Sequence, residues 1–255
     1  MKHFKLIFGA VLVAFASLLS SESRAEESGP AVRNVVLVHG AAMDGSSWRK
    51  VYDILVSKHY HVTVVQLPLT GLEADVAVTS EVLARQDGPV VLVGHSYGGA
   101  VIGQAGTDPK VKSLVYVAAI QPDVGETVAD LNSKWPMPSH IVMVDQTSMI
   151  INPENFAQDV AADLPASDAA FLAASQTPTA VTAFGAKIAA AAWRSKPSFG
   201  IIATEDKTLS PTMLRSLYGR AGTRYREVSA SHVVHMTKPD SVAAVIIEAS
   251  ASHLE

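Results

Sequence analysis

The chain has 255 residues, of which 48% are hydrophobic and 17% are charged, and its formal net charge at pH 7 is −4. This mildly acidic balance offers no basic face for nucleic acid, and a chain without cysteine has neither disulfides nor thiolate metal sites. The length and the apolar content suit one large α/β domain.

Residues 1–25 have the pattern of a secretory signal peptide. A basic start precedes an apolar-to-small run over residues 6–19, and small residues flank the expected cleavage position after Ala25. The apolar run is shorter than a membrane-spanning helix requires, which favours cleavage over an uncleaved N-terminal anchor. We therefore expect residues 26–255 to form an exported domain, periplasmic or secreted, that has no membrane span.

Short, continuous apolar runs predict strands that are buried on both faces of a parallel sheet. These runs are Asn34–His39, His61–Leu67, Pro89–Val93, Leu114–Ala119 and Phe199–Ala203, with Thr223–Val228 as a further candidate.

Helix-like stretches separate these runs. Trp48–Val56 follows two serines, and Glu73–Arg85 follows Thr70, which is spaced from the first helical glutamate as in a capping box. Ser210–Pro211 opens another helix with a cap residue and a proline in the first turn, and Thr237 and Asp240 begin the last. Strands that alternate with helices predict a doubly wound, mostly parallel α/β sheet.

One long insertion interrupts this alternation. Residues 121–196 lie between two predicted strands, are rich in alanine and proline, and contain no obvious strand pair of their own. An insertion of this size above the strand ends is typical of a small helical cap that shapes a pocket.

The segment Gly94-His95-Ser96-Tyr97-Gly98 matches the G-x-S-x-G pattern of a nucleophile elbow. It follows a predicted strand and precedes a run of small residues that begins a helix. So sharp a turn places the serine in strained backbone and requires neighbours without bulky side chains, which Gly94 and Gly98 supply. Ser96 is therefore the predicted nucleophile, and the amide of Tyr97 at the helix start can stabilise negative charge.

A serine hydroxyl needs a base that removes its proton as it attacks, and in this architecture the acid and then the histidine follow the serine along the chain. His232 lies between the candidate strand Thr223–Val228 and the last helix, so its loop is expected at the same sheet edge as the elbow. His140 falls in the insertion, His253 lies near the C-terminus, and His235 is expected to pack beneath the loop or to face solvent. A metal site at His232 and His235 lacks a third nearby ligand.

Asp206 is the predicted acid, because it follows the buried strand Phe199–Ala203 and precedes a helix. A carboxylate at the carboxyl end of a strand can accept a hydrogen bond from the imidazole and fix its tautomer. Glu205 is adjacent but would point elsewhere from the same turn, and Asp123 follows the preceding sheet strand. Both are weaker alternatives for this role.

The second oxyanion donor is expected in the loop after the first strand. The Ala41 amide is the predicted donor, with Gly40 letting the backbone pass close to the substrate. His39 is interpreted as a structural residue that bonds to loop backbone.

Several segments, taken together, point to one family. They are Val38-His39-Gly40-Ala41, Gly94-His95-Ser96-Tyr97-Gly98-Gly99, Thr204-Glu205-Asp206-Lys207-Thr208, and Ser231-His232 followed by Lys238-Pro239. Over residues 32–247 the chain resembles the α/β-hydrolase superfamily, in particular its small-cap branch of bacterial carboxylesterases, plant methyl esterases and hydroxynitrile lyases. The resemblance implies an α/β-hydrolase fold and a catalytic triad of Ser96, Asp206 and His232.

Three differences from related enzymes bear on the reaction. The resembling plant hydroxynitrile lyases carry threonine where this chain has Gly40 and lysine where it has Val233, and haloalkane dehalogenases have aspartate in place of Ser96. The resemblance thus favours hydrolysis of a small-molecule carboxylic ester through an acyl-enzyme, without cofactor or metal. Lactone, thioester or amide hydrolysis by the same residues is an open alternative. Cofactor-free dioxygenases and non-catalytic ligand-binding homologues share the fold and can retain the triad, so they are open alternatives as well.

Overall fold

The computed structural model describes Met1 and residues 32–138 and 140–252. The predicted signal peptide, Met1 aside, and His253 lie outside the described residues. The strands are β1 (Asn34–Val38), β2 (His61–Val65), β3 (Val90–His95), β4 (Val111–Val117), β5 (Ile141–Met143), β6 (Ser148–Ile151), β7 (Thr179–Ala180), β8 (Ser198–Ala203) and β9 (Arg224–Val228). The α-helices are α1 (Arg49–Ser57), α2 (Leu72–Ala84), α3 (Gly98–Ala105), α4 (Val128–Lys134), α5 (Pro153–Asp159), α6 (Ala166–Ala174), α7 (Val181–Gly185), α8 (Pro211–Ala221), α9 (Val234–Thr237) and α10 (Pro239–Ala251). None of these helices is long and apolar enough to cross a bilayer.

The main sheet is parallel and has the strand order β2-β1-β3-β4-β8-β9. Every predicted sheet strand lies in it, with ends that differ by a few residues, so the doubly wound fold is confirmed. The order reverses between β1 and β3, because β2 lies on the outer side of β1. In open α/β sheets such a reversal creates a crevice at the carboxyl ends of the strands, where ligands bind.

Two helical layers cover the sheet because alternate residues of each strand point to opposite faces. Val36 and Val38 pack in one core with side chains of α2, α3 and α8, whereas Val35 and Leu37 pack in another with side chains of α1 and α10. β1 is therefore buried along its whole length, which explains its continuous apolar sequence.

The helix starts test the predicted caps. Ser210 caps α8 through its side chain, as predicted. The capping box at Thr70 is wrong: the N-cap of α2 is Gly71, with no side-chain cap bond, and the amide of Leu69 bonds instead to the Asp75 carboxylate. Of the two residues predicted to begin the last helix, Thr237 instead ends the short helix α9, whereas Asp240 lies in the first turn of α10, which starts at Pro239.

The insertion between β4 and β8 contains helices α4 to α7. It also contains an antiparallel sheet of order β5-β6-β7, which the sequence analysis did not predict. These strands have only two to four residues, too few for a recognisable alternating pattern. We refer to this insertion, helices and small sheet together, as the cap.

Helix α3 provides a matched test of packing behind the elbow. A Cβ on Gly99 would lie 1.9 Å from the carbonyl oxygen of Ile120, whereas a Cβ on Gly103 would meet only the Tyr116 hydroxyl at 3.9 Å. We expect Gly99→Ala to lower the free energy of unfolding by about 3 kcal/mol, and Gly103→Ala to raise it by about 0.5–1 kcal/mol. Urea denaturation measures the free energy of unfolding of both variants. Equal effects would contradict the close packing of α3 on the loop that contains Ile120.

Candidate active site

Ser96 lies at the turn between β3 and α3, with a φ of +53°. This left-handed backbone is strained for a residue with a side chain. A Cβ on Gly94 would lie 2.6 Å from the Gly98 carbonyl oxygen, and one on Gly98 would lie 2.8 Å from that of His39. Glycine at both positions is therefore a steric requirement of the turn.

The structure brings the three predicted residues into one hydrogen-bonded chain. His232 Nε2 lies 2.8 Å from Ser96 Oγ, and His232 Nδ1 lies 2.7 Å from Asp206 Oδ2. Because a carboxylate only accepts, Nδ1 donates to Asp206 and Nε2 is left to accept from the serine hydroxyl. The other carboxylate oxygen, Oδ1, accepts from the amides of Thr208 and Leu209 at 2.8 and 2.9 Å. All three side chains are buried, so these bonds are shielded from water.

The alternative residues are engaged elsewhere. Asp123 forms two hydrogen bonds to Arg194, at 2.8 and 2.7 Å, and the guanidinium holds the pKa of this carboxyl below its ordinary value. Glu205 accepts from the Ser229 hydroxyl, and His140 pairs with an aspartate of α5. None of these contacts connects to Ser96.

The loop after β1 approaches Ser96 closely. A Cβ on Gly40 would lie 2.8 Å from the Cβ of Ser96, so only glycine leaves room for this approach. Ala41 and Tyr97 both line the cavity next to the serine. Within residues 32–138 and 140–252, neither of their backbone amides donates a hydrogen bond to a protein acceptor. Two amides beside the serine hydroxyl are therefore free to bind an anionic oxygen.

His39 has the structural role inferred for it. Its Nε2 accepts from the Leu67 amide at 2.9 Å, so its Nδ1 is the protonated nitrogen and donates to the Gly40 carbonyl at 2.8 Å. Burial lowers the pKa of His39, which keeps this ring neutral and fixes the loop after β1.

A row of buried, mutually tilted rings lies behind His232. The centroids of His232 and His95 are 4.7 Å apart, those of His95 and His235 4.2 Å, and those of His235 and Trp48 4.6 Å. His95 Nε2 donates to the His232 carbonyl at 3.0 Å. Burial holds the pKa of His95 well below its ordinary value and lowers the pKa of His235 to about 3. His235 thus packs beneath the loop as a neutral ring. In the part of the chain that the structure describes, no three potential metal ligands cluster together.

A cavity of about 340 Å³ opens onto Ser96 and His232. Its walls are mostly apolar side chains of the sheet edge and the cap, including Ile120, Trp135 and Phe184. No Asp, Glu, Lys or Arg lines it among the described residues. A bound molecule would therefore meet the serine in surroundings without a formal counter-charge.

Three polar side chains that were not predicted from the sequence hold the loops of this site. Asp75 accepts from the Tyr97 hydroxyl at 2.7 Å, and Thr179 of β7 accepts from the Ala42 amide at 3.0 Å. Asp163 of the cap accepts from the loop that carries the histidine. Two of the three belong to the cap, so the cap does more than cover the cavity.

Known proteins are similar to this chain in sequence and in fold. A model described as the alpha/beta hydrolase family matches residues 35–245. The chain is 32% identical over 140 residues to polyneuridine aldehyde esterase of Rauvolfia serpentina, covering 48% of this chain and 53% of that protein. It is 30% identical over 119 residues to methylesterase 2 of Arabidopsis thaliana, covering 40% and 45%. The chain spans about half the length of the curated relatives it matches.

Solved structures extend the likeness of fold along most of the chain. A pyrethroid hydrolase from Sphingobium faniae superposes with a TM-score of 0.70 at 21% identity, covering 86% of this chain and 97% of that one. Polyneuridine aldehyde esterase gives 0.72 at 21% identity, with 85% and 98% covered. At this identity the likeness shows a shared fold.

The buried histidines predict how stability depends on pH. His235 titrates near 6.5 in the unfolded chain, whereas burial lowers its folded pKa to about 3, so between these values the unfolded state binds more protons. Stability is therefore expected to be complete above about pH 6.5 and to fall as the pH drops, by at most about 1.4 kcal/mol per pH unit for this residue.

The variant His235→Phe removes this titration. Its free energy of unfolding, measured by urea denaturation from about pH 7 to about pH 4, should depend less steeply on pH than that of the parent chain. His61→Phe, at an exposed position of β2, controls for the loss of a histidine. Equal slopes in His235→Phe and the parent chain would show that the buried ring is not held neutral.

Proposed function

The chain belongs to the alpha/beta hydrolase family, and from this premise we propose that it hydrolyses carboxylic esters through an acyl-enzyme on Ser96. The observation that carries the proposal is the buried hydrogen-bonded chain from Ser96 through His232 to Asp206, which opens onto an apolar cavity. Relatives that are named esterases support the reaction class.

The first step is attack of Ser96 Oγ on the ester carbonyl carbon. His232 Nε2 accepts the hydroxyl proton as the new C–O bond forms, and the imidazole becomes a cation. Asp206 stabilises that cation through Nδ1 and holds the ring in the required tautomer. The two amides that bond to the other oxygen of Asp206 keep the carboxylate in place.

The carbonyl oxygen becomes an anion in the tetrahedral intermediate. The free amides of Ala41 and Tyr97 are the proposed donors to this oxygen. Fixed donors aimed at developing charge lower the barrier because they need no reorganisation during the reaction. Collapse of the intermediate breaks the bond to the alcohol oxygen, which leaves with the proton from His232.

Water then attacks the acyl-enzyme through the same series of steps. His232 removes a proton from water as it attacks the acyl carbon, the same amides bind the oxyanion, and the serine leaves with the proton. The products are a carboxylic acid and an alcohol, and the free enzyme is restored. Ser96, His232 and the residues with the two proposed donor amides, Ala41 and Tyr97, line the cavity, and Asp206 contacts His232 from behind it.

The character of the cavity wall points to uncharged, largely apolar esters. Burying a charged group without a partner is costly, and no charged side chain faces the substrate among the described lining residues. The resulting discrimination should act on kcat/KM, since it affects entry into the site and the transition state together.

One prediction of the proposed mechanism concerns the nucleophile and its acid. A fluorophosphonate should label Ser96, and Ser96→Ala should lower kcat about 10⁶-fold. Asp206→Asn should lower kcat about 10⁴-fold because the imidazole loses its correct tautomer. Asp123→Asn makes the same chemical change at the alternative acid and should stay within about twofold of the parent. A chain that is not labelled at Ser96 would refute the esterase proposal.

Another prediction concerns the charge of the substrate. We compare p-nitrophenyl hexanoate with the mono-p-nitrophenyl ester of adipic acid, which has the same acyl length but ends in a carboxylate. The neutral ester should have a kcat/KM at least about 100-fold higher. Met149→Lys places a cation in the cavity wall and should narrow that ratio. Similar rates for both esters in the parent chain would contradict the inferred preference.

A further inference from the structure

The cap strand β7 bonds to the loop that carries one of the proposed oxyanion donors. Thr179 is 1% exposed, and its hydroxyl accepts from the amide of Ala42 at 3.0 Å. Ala42 follows the proposed donor Ala41 directly and has a φ of +58°. A strained residue of this kind persists only where surrounding groups fix it, and the Thr179 hydroxyl is such a group.

The next residue of the same strand bonds to a second loop. The Ala180 amide donates to the carbonyl oxygen of Leu69 at 2.8 Å. Leu69 is also left-handed, with a φ of +56°, and its own amide donates to Asp75 Oδ1 at 2.8 Å. The strand thereby connects to a carboxylate on α2.

The other oxygen of that carboxylate leads to the second proposed donor. Asp75 Oδ2 accepts from the Tyr97 hydroxyl at 2.7 Å, and the Asp75 side chain is fully buried. Burial raises the pKa of Tyr97, so the phenol keeps its proton and donates. The tyrosine ring also stacks on Phe184 of α7, with centroids 5.5 Å apart.

We propose that Thr179, Asp75 and the hydroxyl of Tyr97 are positioning groups that hold the amides of Ala41 and Tyr97 at a fixed spacing. This inference rests on the proposed esterase function. The connection runs from the Ala42 amide through β7, Leu69 and Asp75 to the Tyr97 side chain, entirely among buried or half-buried groups. In this proposal the cap strand β7 determines how far apart the amides of Ala41 and Tyr97 lie.

The proposal has a kinetic signature that packing alone does not produce. An oxyanion donor acts on the transition state and hardly on the bound substrate, so a displaced donor lowers kcat and leaves KM nearly unchanged. A donor that is removed outright costs about 10²–10³-fold in kcat. A donor that is only displaced should cost less, about tenfold.

The test uses Thr179→Val, which keeps the shape of the side chain and removes the acceptor for the Ala42 amide. We expect kcat on p-nitrophenyl hexanoate to fall about tenfold with KM within twofold. Affinity for a trifluoromethyl ketone, which mimics the tetrahedral intermediate, should fall in proportion. Thr179→Ser keeps the hydroxyl and should restore kcat to within twofold. Thr182→Val, on the exposed side of α7, makes the same change away from the connection and should behave as the parent chain.

Tyr97→Phe tests the other end of the hydrogen-bonded connection, because it removes the tyrosine hydroxyl and keeps both the backbone amide and the ring. It should also lower kcat about tenfold. The double variant with Thr179→Val should lose far less than the product of the two single losses, since either change already breaks the connection. All rates are measured where urea denaturation shows each variant to be folded.

Three outcomes would overturn the inference. They are an unchanged kcat in folded Thr179→Val, a loss of kcat that Thr179→Ser does not restore, and losses in the double variant that simply multiply. Each leaves the esterase proposal intact when fluorophosphonate still labels Ser96 in the parent chain. Absence of that labelling would refute the proposed function itself, and the inference with it.

Discussion

The backbone at Ser96 is the constraint on which the rest of the structure depends. Strand β3 turns into α3 within two residues, and this is possible only because Gly94 and Gly98 carry no side chain. The turn exposes the serine hydroxyl at the carboxyl edge of the sheet and leaves the following amide unpaired. The loops that contain Ala41, Asp206 and His232 then have to meet this one point, since a hydroxyl without its neighbours is a weak nucleophile.

In the proposed reaction, the groups around His232 set the direction of proton transfer. Asp206 fixes the proton on Nδ1, and the amides of Thr208 and Leu209 keep the carboxylate from rotating. The rings of His95 and His235 behind His232 stay neutral because burial lowers their pKa, so they neither compete for the serine proton nor repel an imidazolium. The hydrogen bonds that join Ser96, His232 and Asp206 are effective because these side chains are buried and water is excluded from them.

The sequence predicts the features that depend on a local pattern of residues. It does not predict the contacts between residues that are far apart in the chain. Buried strands appear as continuous apolar runs, and Ser96 and Asp206 each follow such a run. His232 follows β9, which is mostly exposed, so its place at the same edge is predicted from its position between that strand and the last helix. Asp75 did have a signal, because it shares the buried face of α2 with Leu72 and Thr79 at helical spacing. Thr179 had none, because its partner is a backbone amide 137 residues away. The cap strands were missed for a different reason: they are short, and β5 is exposed rather than buried.

The position of the cap in the chain has a consequence for folding. Strand β4 pairs with β8, yet the whole cap, about 80 residues, is synthesised between them. At roughly 5–20 residues per second, β4 presents an unpaired apolar edge for roughly 4–16 seconds. Exposed edges of this kind are sites of aggregation, and the β4–β8 pairing joins parts of the chain that are far apart in sequence, which slows folding. The segment that shapes the substrate site is thus also the segment that delays completion of the sheet.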